Sequence, residues 1–476
     1  MSPSVEPFNE IKYKALMDGQ RYKEVMLSDT YTETDYFRLE AEYYNSTTIS
    51  YENAIKGKDV ILSVQYGTSK YCDEQVDGYP VLRLNELNNG FINVPQKYCN
   101  TMSSEEFEKL RLKKGDVLII RTNGNPDLVG RAAVVSEDSD YAFASYLYRV
   151  NTNEMINSET LVSYLNCKYG RYEIDKNSIK GNQTNFSPAK FRDISIPRFS
   201  KELQSIIKDL FDRAYQNREK SNLAFLSAKE YLMSKIGFNI ASKQSNVAIK
   251  TMSDSYYTSG RLDSEYYHPR YSEIELAIKN IDHTTLGDIG DIESGEFISE
   301  KFYGDVGVSY IRGTEITSYT VDNQNAVKVD INLEGLKTIK TNDITFAMIG
   351  SVGNVAINFE ETAIVSNNLG CIKLHDKNLS NFILIYLLSD IGQALFEKYQ
   401  TRTAQPKIRK EDVSKFLIPI LSRTDIKHIS EKVQESFELG EKSRVLMNVA
   451  TKFVEIAIEL GEEKALNWIK QNGVEC

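Results

Sequence analysis

The chain has 476 residues, 41% of them hydrophobic and 11% aromatic, and carries a formal net charge of −10. This length exceeds what one hydrophobic core normally serves and predicts two or more domains. The absence of a long apolar run and the polar N-terminus argue against a membrane span and a secretory signal, so we expect a cytoplasmic protein. The acidic balance also argues against a protein that coats nucleic acid regardless of sequence, although local basic clusters can still hold a phosphate backbone.

The cysteines and histidines are few and scattered along the sequence. The five cysteines include no CxxC pair, and the four histidines are isolated from one another. Disulfide frameworks and zinc sites both depend on recurrent spacings of these residues. We therefore expect no metal site and reduced, structural cysteines at Cys72, Cys99, Cys167, Cys371 and Cys476.

Short β-type runs alternate with loops in the first half of the chain. The predicted strands are 60–64, 81–84, 117–120, 132–135 and 142–150. Amphipathic helices are predicted at 158–168 and, in the second half, at 379–389. This mixture predicts α+β units with a curved, mostly antiparallel sheet.

The stretch 113–135, KKGDVLIIRTNGNPDLVGRAAVV, predicts a hairpin with a polar tip between two apolar strands. Arginine and asparagine carry the forked donors and acceptors that read guanine and adenine edges in DNA. The candidate DNA-contacting residues at this tip are Arg121, Thr122, Asn123, Asn125 and Arg131. The alternative is that both arginines only rigidify the loop by pairing with Asp116 and Asp127.

A polar loop precedes the short strand that ends in Ile196-Pro197. Its amides, hydroxyls and cation suit phosphate positioning as well as base contacts, and a solvated turn is the alternative. The candidates here are Lys180, Asn182, Gln183 and Asn185, with Arg83 from strand 81–84 as a further one.

Two long segments, 202–236 and 424–460, place apolar residues on a helical seam of alternating four and three residues. Polar Asn217 and Ser221 interrupt the first seam. Each helix could simply pack on its own domain. The occurrence of one such helix after each unit favours two helices that pack together as an antiparallel spacer. A short helix carrying Trp468 is predicted at 462–471.

The second half of the chain repeats markers of the first half in the same order. MLSD at 26–29 recurs as TMSD at 251–254, and RLEAEYY at 38–44 recurs as RLDSEYY at 261–267. The loop and strand at 183–197 align without a gap to 405–419, so we predict two homologous units of about 220 residues. The hairpin recurs as KTNDITFAMIGSVGNVA at 340–356. The corresponding candidates are Arg312, Thr314, Met348, Ser351, Asn354, Arg402, Thr403, Gln405 and Lys407.

The sequence lacks the motifs of the common active sites. Five residues rather than four separate Gly124 from Gly130, and no Lys-Ser/Thr follows, which excludes a phosphate-binding P-loop. An NPPY-like tetrapeptide, a GxSxG elbow, an HExxH helix and the kinase motifs are also missing. No Glu-x-Lys follows Asp127, as a PD-(D/E)xK nuclease would require. We expect a chain without a catalytic centre.

Together these features resemble the specificity subunit of type I restriction-modification enzymes. The resemblance covers about 21–460 and rests on the hairpin string, the Gln-led loop that closes in Ile-Pro, the long helix and the repetition of all three. It implies two target-recognition domains that each read one half of a bipartite double-stranded DNA site, with paired helices setting the gap. It also implies partners: two methyltransferase subunits that carry S-adenosylmethionine, and a translocating nuclease subunit in restriction complexes. The second tip, IGSVGNVA, departs from the pattern because it lacks the Arg-Thr-Asn-Gly string.

The sequence therefore predicts a non-catalytic, cofactor-free DNA-recognition subunit of a phage-defence system, with a cytoplasmic location and no membrane contact. The alternative is a non-catalytic scaffold that binds protein partners in a related system. The predicted order is an N-terminal segment (1–20), a first recognition domain (21–200), a spacer helix (201–245), a second recognition domain (246–421), and a second spacer helix with a tail (422–476).

Overall fold

A computed structural model describes residues 9–18, 24–30, 43–44, 51, 53–237, 247–316, 319–323, 325–401 and 404–471. The chain divides into two compact units. The first groups residues up to Arg218 with those from Gly440 onward, and the second comprises Glu219–Leu439. Both mix helices with mostly antiparallel sheets, so the predicted α+β class is confirmed.

The first unit is built around a six-stranded sheet and a smaller three-stranded sheet. The six strands lie in the order Ile61–Tyr66, Leu147–Thr152, Val117–Ile120, Ala132–Val134, Phe91–Ile92 and Leu87–Asn88. The smaller sheet contains Ala142–Phe143, Tyr79–Leu82 and Lys97–Cys99, and two further pairs join Ala54–Lys56 to Ser195–Pro197 and Thr122–Asn123 to Thr184–Asn185. The helices of this unit are Glu10–Met17, Ser104–Leu110, Ser158–Asn166, Lys168–Asn177, Pro188–Asp193 and Glu462–Gln471.

The second unit contains a four-stranded and a five-stranded sheet. The four strands lie in the order Gly290–Ser294, Leu369–Leu374, Ile344–Ala347 and Val355–Ile357. The five lie in the order Tyr303–Gly304, Val327–Val329, Val308–Ile311, Ala363–Val365 and Thr338–Ile339, while His283–Thr285 pairs with Leu417–Pro419. The helices of this unit are Tyr256–Ser259, Pro269–Lys279, Leu286–Ile289, Ser380–Leu388, Asp390–Tyr399 and Lys410–Val413.

The strand that leads into each hairpin is buried on both faces. In Val117–Ile120, Val117 and Ile119 join the main core of the first unit, whereas Leu118 and Ile120 join a second, smaller core. A strand covered on both sides needs an unbroken apolar run rather than alternation. This explains why the sequence reads VLII at this point. In the second unit ITFA occupies the same position and all four residues are also buried, with the polar Thr345 donating its hydroxyl to the Gly370 carbonyl at 3.0 Å.

Two long helices, Lys201–Ile236 and Arg423–Leu460, contribute to both units. In the first unit, the Ser443 hydroxyl donates to the carbonyl of Ala214 at 2.7 Å. In the second unit, Ser221 lies in contact with Ser436, with its hydroxyl 2.7 Å from the Ser436 carbonyl oxygen, and Tyr231 donates to Asp425 at 2.7 Å. Ser221, one of the two polar residues predicted in the seam, is thus buried and hydrogen-bonded.

Two predictions of a single continuous element were wrong. The predicted strand 142–150 is interrupted, because Ala142–Phe143 pairs in the three-stranded sheet and Leu147–Thr152 in the six-stranded one. The predicted helix 158–168 ends at Asn166, because Cys167 adopts extended backbone angles before the next helix begins. Of the repeat markers, residues 38–42 lie outside the described residues.

The cysteines within the described residues, Cys72, Cys99, Cys167 and Cys371, form no disulfide. Over the same residues, no single helix has the length and apolar composition to cross a membrane. The bent pair Lys377–Leu388 and Asp390–Tyr399 meets that test only jointly, and most of its apolar side chains are buried in the core of the second unit.

Gly130 closes the first hairpin in a left-handed conformation, with φ of +77°. A Cβ at this position would also lie 2.4 Å from Cγ2 of the buried Ile174. We expect Gly130→Ala to lower the free energy of unfolding by about 2 to 4 kcal/mol, through backbone strain and overpacking. Urea titration of the full chain, followed by circular dichroism, measures this loss.

Gly124→Ala is the matched control for that prediction. Gly124 lies in the same hairpin, and a Cβ there would meet no atom within 4 Å. Its unfolding midpoint should match that of the unsubstituted chain. Equal midpoints for both alanine variants would show that the hairpin tolerates a side chain at Gly130.

Candidate nucleic-acid interface

The structure joins the two polar segments that the sequence nominated separately. The hairpin residues Thr122–Asn123 pair antiparallel with Thr184–Asn185 from the loop before the first long helix. The Thr122 hydroxyl also lies 3.4 Å from Oε1 of Gln183. Candidates about 60 residues apart in sequence therefore form one small ladder in the first unit.

Both backbone polar groups of Arg121, which directly precedes this ladder, are hydrogen-bonded. Its N–H donates to the Tyr146 carbonyl and its own carbonyl accepts from the Phe186 N–H, both at 2.8 Å. The guanidinium carbon lies 5.4 Å from the centre of the Tyr66 ring, and Nε is buried without a hydrogen-bond partner. The ion pair with Asp116 that we considered as an alternative is not formed, because Asp116 binds Arg149 at 2.9 Å instead.

Asn123, Asn125 and Arg131 each make one side-chain hydrogen bond to the backbone of the turn. Oδ1 of Asn123 accepts from the Asn125 N–H at 2.7 Å, and Oδ1 of Asn125 accepts from the Asp127 N–H at 3.0 Å. Arg131 donates from Nε to the Asp127 carbonyl at 3.0 Å, and so contacts the backbone rather than the carboxylate. Asn125 and Arg131 are exposed and Asn123 is half-buried, so their remaining donors are accessible, whereas the candidate Thr122 is buried.

Arg171, which was not among the predicted residues, supports the tip through hydrogen bonds to its backbone. Its guanidinium donates to the carbonyls of Val129 at 2.7 Å and Asp127 at 3.1 Å. Burial lowers the pKa of Arg171 below its usual range, and nearby Arg131 lowers it further. Only the fold reveals this role, because Arg171 lies on the helix Lys168–Asn177 with no sequence signature that links it to the hairpin.

The remaining candidates of the first loop differ in what already binds them. Lys180 forms an ion pair with Asp175 at 3.0 Å, with both side chains at least half exposed. Such an exposed pair contributes little stability and leaves the ammonium available to a phosphate. Asn182 and Gln183 are exposed, and Asn185 is half-buried within the ladder.

The second unit builds the same ladder from different residues. Ile349 forms a β-bridge with Lys407, and the Gly350 N–H donates to the Pro406 carbonyl at 2.9 Å. Met348 is half-buried against the core, while Ser351 and Asn354 are exposed at the tip. The second tip therefore presents neutral polar groups where the first presents arginine.

The loop facing the second tip is described only in part. Gln405 and Lys407 are exposed, whereas Arg402 and Thr403 lie outside the described residues. Lys407 donates its backbone N–H to the Thr401 hydroxyl at 3.1 Å, which leaves its ammonium at the surface.

Arg83 and Arg312 occupy corresponding turns that are organised by a buried glutamate. The Arg83 N–H donates to Glu86 and the Arg312 N–H donates to Glu315, each at 2.7 Å. In the second unit the Arg312 guanidinium also binds Glu315 at 2.8 Å, which raises the pKa of Arg312. Thr314 donates its hydroxyl to the same carboxylate at 2.6 Å. Arg312 and Thr314 therefore both already donate to the Glu315 carboxylate.

Comparison with known families identifies part of the chain directly. Residues 279–432 match the model of the type I restriction modification DNA specificity domain. This span contains the second hairpin and its loop, although the first hairpin carries the string that suggested the resemblance.

Three solved structures are similar to the chain at low sequence identity. A type I restriction-modification S subunit from M. genitalium shares 14% identity, covering 84% of this chain and 95% of that one with a TM-score of 0.36. An HsdS subunit from Thermoanaerobacter tengcongensis shares 13%, covering 86% and 97% with a TM-score of 0.29. The type IIG restriction endonuclease BpuSI shares 11%, covering 39% and 33% with a TM-score of 0.28. Because all three TM-scores are low, only the family match, which covers residues 279–432, bears on the function of the chain.

The contact of Arg171 with the tip makes a prediction about hydrogen exchange. Arg171→Met removes two charged hydrogen bonds to the carbonyls of Asp127 and Val129. We expect amides 124–131 to exchange about 10- to 150-fold faster, the factor for the 1.5 to 3 kcal/mol typical of such bonds. Hydrogen–deuterium exchange with mass spectrometry measures the effect, and amides 348–354 of the second hairpin should not change.

Gln393 supplies the reciprocal control for Arg171. Its side-chain amide donates to the Gly353 carbonyl at 2.9 Å and so supports the second hairpin. Gln393→Leu should speed exchange at 348–354 and leave 124–131 unaffected. Unchanged exchange of the first tip in Arg171→Met would mean that the asparagines hold that turn by themselves.

Proposed function

Because residues 279–432 belong to the type I restriction modification DNA specificity domain family, we propose that this chain is the DNA-recognition subunit of such a system. In this proposal, each unit reads one half of a bipartite double-stranded DNA site. The observation that carries it is the hairpin–loop ladder, which occurs in the family-matched segment and again in the first unit. In both, backbone pairing brings a polar tip and a polar loop to one edge, where side chains can reach a groove.

The two long helices act in this proposal as an antiparallel spacer between the readers. The contacts within the second unit support that direction, because the partners lie earlier along the second helix as the first helix proceeds. Ser221 meets Ser436, and Tyr231, further along the first helix, meets Asp425. Rigid helices that keep two readers at a fixed separation would keep the unread gap constant.

The chain directs chemistry that other subunits carry out. Its family is one of DNA specificity, which agrees with the absence of catalytic motifs from its sequence. The partners in this proposal are two methyltransferase subunits, which bring S-adenosylmethionine, and a translocating nuclease subunit in the restriction form. The whole complex would work in the cytoplasm, where the cell's DNA lies.

Replacing one tip tests whether each unit reads its own half-site. The chain is combined with its methyltransferase subunits, and modified bases are mapped on genomic DNA by single-molecule sequencing. The unsubstituted complex should modify a site with two specified halves and an unread gap. Grafting a different polar tip onto 121–131 should change one half and leave the other half and the gap intact, because the two tips lie on separate units.

The same graft at 348–354 is the matched control and should change only the other half. Modification at a continuous, unsplit motif would contradict the proposal of two readers. A tip graft that altered both halves together would contradict the assignment of one half-site to each unit.

A further inference from the structure

Two exposed tyrosines flank the arginine of the first tip. Tyr66 ends the edge strand Ile61–Tyr66 and is 48% exposed, with the Arg121 guanidinium 5.4 Å from its ring centre. Tyr146, which is 42% exposed, accepts the Arg121 backbone N–H with its carbonyl. The Arg83 guanidinium lies 6.0 Å from the Tyr146 ring. Large aromatic side chains that remain this exposed beside cations are typical of nucleic-acid contacts.

Arg121 combines a fixed direction with unused donors. Its backbone is bonded on both sides, its guanidinium faces the Tyr66 ring, and Nε is buried without an acceptor. No carboxylate in the described part of the chain forms an ion pair with it. The terminal amino groups are therefore the part of the fork left to meet a ligand, and their geometry matches the O6 and N7 acceptors of guanine.

The second unit has no equivalent of this arrangement. The strand register that pairs Tyr66 with Tyr148 in the first unit pairs Ser294 with Gly370 in the second. The hydrogen bond from Arg121 to Tyr146 likewise recurs as one from Met348 to Asn368 at 2.9 Å. Serine, methionine and asparagine thus replace tyrosine, arginine and tyrosine.

The second tip also carries less positive charge than the first. Arg312, the counterpart of Arg83, is neutralised by an ion pair with Glu315, whereas Arg83 has an aromatic ring beside its guanidinium. An anionic phosphate or the electronegative edge of guanine is therefore attracted more strongly to the first tip than to the second.

We infer that Arg121, oriented by Tyr66, reads a G·C pair in the half-site of the first unit, and that the second half-site has no corresponding contact because Met348 replaces the arginine. This rests on the proposed function and specifies what its first reader recognises. A phosphate contact is the competing role for Arg121. The backbone of Arg121, bonded on both sides, and its planar fork favour a base edge, because a bidentate contact needs a fixed direction, whereas a lysine such as the exposed Lys180 suits a phosphate as a point charge.

The test selects binding sites from a randomised DNA duplex library with the full chain in its methyltransferase complex. The variants are Arg121→Met, Arg121→Lys, Tyr66→Phe and Tyr66→Ser, the methionine and the serine copying the second unit. Arg111→Met removes the same charge from a residue that pairs with Asp140 and Glu108, neither of which belongs to the tip, and serves as the control. Thermal unfolding and the amount of assembled complex are compared first, so that every selection uses folded protein.

Arg121→Met should reduce the preference for one G·C pair by about 5- to 150-fold, the usual discrimination of a bidentate contact, and leave the other half-site unchanged. Arg121→Lys should lose most of the same preference, because it keeps the charge but not the fork. Tyr66→Ser should weaken the preference, and Tyr66→Phe should retain it because the ring remains. Arg111→Met should select the unsubstituted site.

Uniform weakening on all sequences, or an unchanged preference at every position, would overturn the inference and make Arg121 a phosphate contact or a structural residue. An unsubstituted complex that selects a split site insensitive to Arg121 would leave the proposed function standing without this contact. An unsubstituted complex that selects no sequence would overturn both.

Discussion

The short backbone ladder between each hairpin tip and the loop before the long helix is the constraint on which the proposed recognition surface depends. In the first unit it joins Thr122–Asn123 to Thr184–Asn185, and in the second it joins Ile349 to Lys407. Neither the tip nor the loop is long enough to hold a fixed shape alone, since short isolated strand pairs are marginal in water. Paired with each other and anchored to a buried strand, they form a surface whose side-chain directions are set.

A buried aspartate precedes the buried strand that anchors each ladder. Asp116 and Asp343 are both buried, and each accepts the backbone N–H three residues earlier, at 2.9 Å from Lys113 and 2.7 Å from Lys340. Arg149 pairs with Asp116, and Lys377 pairs with Asp343. A buried carboxylate needs such a partner, because breaking a buried pair costs about 3 to 5 kcal/mol. The acidic residue that opens each apolar run is therefore structural, and for this reason it does not compete for Arg121.

The sequence predicts those parts of the site that are marked by a pattern within one short segment. The strand Val117–Ile120 has the predicted bounds, and both long helices begin within one residue of the prediction, because apolar runs and helical seams are visible in the sequence. The ladder partner of the tip could not be predicted, because two-residue strands have no periodicity. Arg171 and Tyr66 were missed for a related reason, since each looks like an ordinary surface residue of its own element. Their roles arise from contacts with residues about 40 to 55 positions away.

The division between frame and tip explains how the same scaffold can carry two different surfaces. The frame is made of contacts to the backbone, and these tolerate different side chains. Arg171 supports the first tip through carbonyl oxygens, and Gln393 supports the second tip through the carbonyl of Gly353. The side chains of Arg121 and Ser351 make none of these supporting contacts to the backbone, so they can change without removing them. Stability therefore places weak limits on the chemistry of the tip, so that the side chains a unit presents can change while its fold does not.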